Sequence, residues 1–131
     1  MRLLVDAQAV IWYVDQDQLL SKPAHAAITD PSNELLVSAA TVWEIAIKVG
    51  LKKLTLSFPY RVWMEQAIAD LDLIILPIMV EVANVQADLP WHHRDPFDRL
   101  IIAQALVEDM PVVSIDEIFD QYGIKRMWHS A

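Results

Sequence analysis

Leu3-Leu4-Val5-Asp6-Ala7-Gln8-Ala9-Val10-Ile11-Trp12 opens the chain with an apolar run, an acid and then a helix-compatible stretch. Residues 3–5 read as a short buried strand, and Ala7 to Val14 reads as the helix that follows it. The same grammar recurs downstream. Glu34 to Ser38 is a strand leading to a helix over Thr41–Val49, which is expected to stop at Gly50 as a left-handed C-terminal residue. Residues 73–76 form a strand followed by a helix over Met79–Asp88, which ends before Pro90. Residues 112–115, after Pro111, form a fourth strand that ends at Asp116, and a short helix leads on to Gly123. Further helices open at Ser21-Lys22-Pro23, at Pro59 (to about Leu71) and at Asp95-Pro96 (to about Asp109). Alternation of this kind specifies an α/β fold with a parallel sheet covered by helices on both faces and right-handed crossovers. Periodicity does not give the strand order.

At 131 residues the chain fits one domain, 1–131, large enough to bury its own core. The 55% hydrophobic content leaves room for a surface covered by a partner chain. Absence of cysteine excludes disulfides and thiolate chemistry. No apolar run approaches the ~20 residues that span a bilayer, and an acid at position 6 comes too early for a signal-peptide core. The expectation is a cytoplasmic protein with no membrane partner. A net charge of −8 argues against nucleic acid when taken over the whole surface. A cluster of acids that holds divalent cations would account for much of that charge locally.

Asp6 and Asp116 each directly follow an apolar strand, the edge where open parallel sheets gather their ligands. Each also suits the N-cap of the next helix. Glu44 lies in Thr41-Val42-Trp43-Glu44, which matches a capping box, and it precedes Lys48 at the favourable i,i+4 spacing. In Asp95-Pro96-Phe97-Asp98 the first acid suits the cap, as an auxiliary acid at most. Asp98 sits at the mouth of an almost wholly apolar helix, where a carboxylate needs a partner. Every acid therefore has a capping alternative, but helices in this architecture start at one edge of the sheet. Asp6, Glu44, Asp98 and Asp116 would converge there, and four carboxylates in one place need protons or cations. Hard oxygen donors without cysteine suit Mg²⁺ or Mn²⁺, and the chemistry on offer is hydrolysis by metal-activated water. Lys48 and Arg99 are candidate phosphate contacts, with Arg94 and Lys52-Lys53 read mainly as solvated charges. His92 and His93 are adjacent and should diverge, with no third ligand in view. Of the five tryptophans, Trp43 reads as core or interface and the others as possible base-stacking surfaces.

These blocks resemble the PIN-domain ribonucleases, in particular the VapC toxins of toxin–antitoxin systems. The resemblance runs through residues 3–12, the Trp43-Glu44-Ile45 helix, His92-His93-Arg94-Asp95-Pro96-Phe97-Asp98-Arg99 and Val112 to Asp116. It implies a PIN-like three-layer sandwich with strand order 3-2-1-4-5, a homodimer, and Mg²⁺- or Mn²⁺-dependent endonuclease action on RNA. It also implies Asp6, Glu44, Asp98 and Asp116 as catalytic metal ligands, and a cognate antitoxin that occupies or crosses the groove. Ala7 and Gln8 depart from the Thr or Ser, then His or Asn, usual after the first acid. That departure keeps a second reading open, a catalytically weakened domain serving as an RNA-binding or interaction scaffold. A phosphoryl-handling α/β domain is a poorer match, because Asp6-Ala7-Gln8 lacks the second acid of a phosphatase motif and residues 73–76 lead to no phosphoacceptor.

Overall fold

The structure is a computed structural model that describes residues 1–129. In chain order the elements are β1 (Arg2–Val5), α1 (Ala7–Val14), α2 (Lys22–Thr29), β2 (Glu34–Ser38), α3 (Ala39–Gly50), α4 (Tyr60–Leu71), β3 (Ile74–Leu76), α5 (Val80–Asp88), α6 (Pro96–Glu108), β4 (Val112–Val113), a 3₁₀ helix (Glu117–Tyr122) and β5 (Arg126–Met127). The strands form one parallel sheet in the order β3-β2-β1-β4-β5, as the resemblance implies.

Alternation along the strands creates the two faces. Leu3, Val5, Leu35, Val37 and Val113 project into a core closed by α1, α2 and α4, with Trp63 wholly buried in it. Leu4, Leu36, Leu76 and Val112 project the other way against α5, α6 and Phe119. Each such side chain contributes roughly 1.5–3 kcal/mol through burial. The central strands therefore hold the sheet edge rigidly where the acids emerge. No helix among the described residues is long and apolar enough to cross a membrane.

Short polar side chains start the helices. Ser21 Oγ accepts from the Ala24 amide at 3.1 Å, and Ser38 Oγ accepts from the Ala40 amide at 3.0 Å. Asp72 and Asp109 end α4 and α6 in the left-handed region, at φ of 50° and 51°, where Asp is among the tolerated non-glycine residues.

Three details differ from the pattern reading. Helix α3 starts at Ala39, so Thr41 is not its cap, and the capping box with Glu44 does not form. Gly50 ends that helix as a member, and Lys52 takes the left-handed conformation at φ 59°. Strand β4 covers only Val112–Val113, and β5 was not found by pattern, because two half-buried residues carry no periodic signal.

Candidate active site

Four separate segments supply the acids. The Asp6 amide donates to Val113 O at 3.2 Å, extending the ladder of the central strand one residue past β1. Its Oδ1 then accepts from the Ala9 amide at 2.9 Å and caps α1. Asp116 follows β4 and caps the 3₁₀ helix, with its Oδ1 accepting from Ile118 at 3.0 Å. Asp98 is the third residue of α6. Glu44 lies on the second turn of α3, buried, with its Oε2 3.0 Å from Lys48 Nζ. The four line a single cavity of about 240 Å³ together with Ala7, Gln8, Lys48, Ile101 and Ile115. A neighbouring cavity of about 230 Å³ shares Ala7, Gln8, Glu44 and Lys48 and continues to Lys53 and Leu54. A larger cavity, about 870 Å³, is a surface groove beside Trp12 and His25 that contains none of these acids.

Electrostatics single out two members. Burial pushes the Asp6 carboxyl up to about 6; Asp98 and Asp116 add to the rise, while Ser114 and the Ala9 amide oppose it. Burial also raises Asp98, with Asp95 and Asp116 adding to it, and the His93 hydrogen bond opposes the rise. Asp6 and Asp98 thus feel each other or Asp116 as like charges in a partly dry site.

A hard divalent cation fits the chemistry of this donor set, which is oxygen-rich, anionic and gathered on one cavity. Each acid gives one oxygen to a donor within the protein: Asp6 to Ala9, Glu44 to Lys48, Asp98 to His93 and Asp116 to Ile118. Among the described residues no three His, Asp or Glu side chains are grouped so as to hold a metal ion as they stand.

The PIN domain profile matches residues 3–125. The chain belongs to the PIN-domain family. Ribonuclease VapC22 of Mycobacterium tuberculosis is 30% identical over 115 residues, covering 87% of this chain and 86% of that protein. VapBC2 from Rickettsia felis, bound to a DNA fragment from its promoter, is similar with a TM-score of 0.75 at 13% identity, over 98% of this chain and 100% of the matched one. VapBC-1 from nontypeable Haemophilus influenzae is similar with a TM-score of 0.67 at 15% identity, over 97% of each chain. At these identities the solved structures speak for the PIN fold.

The other candidates in this PIN domain divide between expected and unexpected places, Asp95 taking the expected cap. Asp95 caps α6, its Oδ1 accepting from Phe97 at 2.9 Å and Asp98 at 3.3 Å. Arg99 is not a phosphate contact: it is 3% exposed, and its guanidinium is spent on four backbone carbonyls. His92 and His93 diverge as expected, His92 toward the Tyr122 ring and His93 toward Asp98. Trp43 is exposed rather than core and meets Phe97 edge-on at 5.6 Å between ring centroids. Pattern reading missed Ser114, whose fully buried hydroxyl accepts from the Asp116 amide at 3.0 Å and lowers the Asp6 pKa. A serine two residues before the last acid was its only sequence signal.

Proposed function

We propose that this chain is a VapC-type toxin, a Mg²⁺- or Mn²⁺-dependent endoribonuclease that hydrolyses RNA phosphodiester bonds. The observation that carries the reading is the convergence of Asp6, Glu44, Asp98 and Asp116, from four segments, on one cavity at the carboxyl edge of the sheet. The name of the Mycobacterium relative, a ribonuclease, supports the same reaction class.

PIN-domain nucleases use divalent metal, and Asp6, Glu44, Asp98 and Asp116 would hold a cation that would supply charge neutralisation and activation of water. The protein's own part is to aim and shield. The ladder bond to Val113 fixes the Asp6 backbone, and the Ala9 amide orients its carboxylate. Lys48 lines both cavities and Lys53 the neighbouring one, and together they give a strand of phosphates a cationic track away from the acids. Trp43 and Phe97, one residue before Glu44 and Asp98 respectively, offer aromatic faces to an unstacked base. In this reading the groove also receives a cognate antitoxin, the working form is a homodimer, and the location is cytoplasmic.

Purified protein should cleave structured RNA with Mg²⁺ or Mn²⁺ and leave 5′-phosphates. Chelator, Asp6→Asn and Asp98→Asn should each abolish cleavage and, on expression, growth arrest. Cleavage that survives both substitutions would sink the proposal. Ala7 favours a second reading, a weakened domain that binds RNA as a scaffold. Tight RNA binding without turnover under any divalent metal would select it.

A further inference from the structure

Residues 89–95, between α5 and α6, contain no helix or strand, and backbone carbonyls in such a segment need donors from elsewhere. Arg99 supplies them. Its Nη1 donates to Pro90 O at 3.0 Å and His93 O at 3.2 Å, and its Nη2 to Gln86 O at 2.9 Å and Leu89 O at 3.2 Å. Those four bonds use every hydrogen on the two terminal nitrogens. The Trp91 ring covers the other side, with the guanidinium carbon 3.8 Å from its centroid. Tyr122 adds a hydroxyl bond to Pro90 O at 2.7 Å, tying the same loop to the 3₁₀ helix that Asp116 starts.

This loop presents His93 to the acids. Arg99 grips the His93 backbone carbonyl, and the His93 side chain places Nε2 2.7 Å from Asp98 Oδ2. Arg99 and Asp98 are neighbours on α6, so the loop that leads into this helix is held back against it by one buried cation.

We propose that Arg99 and His93 are positioning residues of the metal centre: Arg99 fixes the loop, the loop fixes His93, and His93 holds one Asp98 oxygen so that the other is left for the cation. This inference rests on the reading of the four acids as metal ligands. A carboxylate whose second oxygen is already hydrogen-bonded loses less freedom on ligation, and removing such outer partners typically costs about 10–100-fold in metal affinity. Arg99 acts only through the loop, so its effect on the cation should vanish once His93 is gone.

Mn²⁺ titration calorimetry on the intact protein, with thermal unfolding of each variant in the absence of metal, tests the chain of dependence. His93→Ala should weaken Mn²⁺ binding about 10–100-fold while moving the Tm little. His93→Gln, whose amide can still donate, should recover most of the affinity. Arg99→Lys keeps the charge but cannot serve four carbonyls, so it should weaken both Mn²⁺ binding and the Tm. Combined with His93→Ala, it should produce no further loss of Mn²⁺ affinity. Wild-type Mn²⁺ affinity in His93→Ala, or failure of Gln to restore it, overturns the proposal and leaves the acid quartet standing. If the wild type itself binds no Mn²⁺, the quartet reading falls and this inference falls with it. Should Arg99→Lys not fold, the two His93 variants still decide the matter.

Discussion

Asp6 is asked to do two things with one carboxylate. It caps α1 through Oδ1, and it stands in a partly dry cavity beside Asp98 and Asp116. The cap stabilises the fold, whereas the charge in that setting costs stability when no cation is bound. The sign follows from its carboxyl, raised from 3.8 to about 6. Between those values the folded protein holds a proton that the unfolded chain has released, so stability falls as pH rises through that window. Above it the full cost is present, roughly 1–3 kcal/mol for a shift of this size. Asp6→Asn preserves a good cap and removes the charge. Metal-free Asp6→Asn should therefore be more stable than wild type by roughly 1–3 kcal/mol at pH 7.5, with the gain shrinking toward pH 4. Urea melts at both pH values, with equal or lower stability of the variant at pH 7.5, would show that the charge is not strained. Ser114 belongs to the same balance. Ala7 leaves position 7 without a hydroxyl, and the buried hydroxyl of Ser114, the residue after β4, favours the charged form of Asp6 from across the sheet, a contact that no local window of sequence displays.

Among the elements, α3 shows best what the pattern could and could not carry. Its apolar face was legible because Ile45 meets the core with helical spacing. The ends were not. Ser38 finishes β2 and caps α3 at once, so the strand-to-helix turn consumes no loop, and Thr41 falls inside the helix with its hydroxyl buried and unpartnered. That displacement frees Glu44 from capping and leaves Lys48 as its partner. At the other end, glycine is the residue that usually fills the left-handed stop, but here Lys52 does. The two assignments predict opposite mutational signs. Gly50 is helical, and a Cβ built on it meets nothing within 4 Å. Gly50→Ala should therefore stabilise the protein by roughly 0.4–1 kcal/mol in chemical denaturation. A left-handed Gly50 would instead make the same change destabilising. Arg99 was illegible for a related reason: a basic residue next to an acid suggests a phosphate contact, whereas its carbonyl partners come from a loop whose path only the fold reveals.

On the scale of the whole molecule, the high apolar content has a location. Strand β3 is an edge of the sheet, and its Ile74 and Ile75, which point to opposite faces, are both exposed. The chain that follows adds Ile78, Met79 and Val80, and Val80 is 77% exposed. A row of apolar side chains beside an unpaired strand edge is a liability in an isolated monomer. The proposed homodimer would cover it. If this edge is the contact, placing like charges on it in both copies should disfavour association without disturbing either core. Met79→Glu combined with Val80→Glu changes only exposed side chains around the start of α5. The wild type should sediment as a dimer at micromolar concentration, and the double variant as a monomer with an unchanged circular dichroism spectrum. Because all four acids come from one chain, the monomeric variant should keep its Mn²⁺ affinity. A double variant that still sediments as a dimer would assign the contact to another face and leave the exposed β3 edge to a different partner.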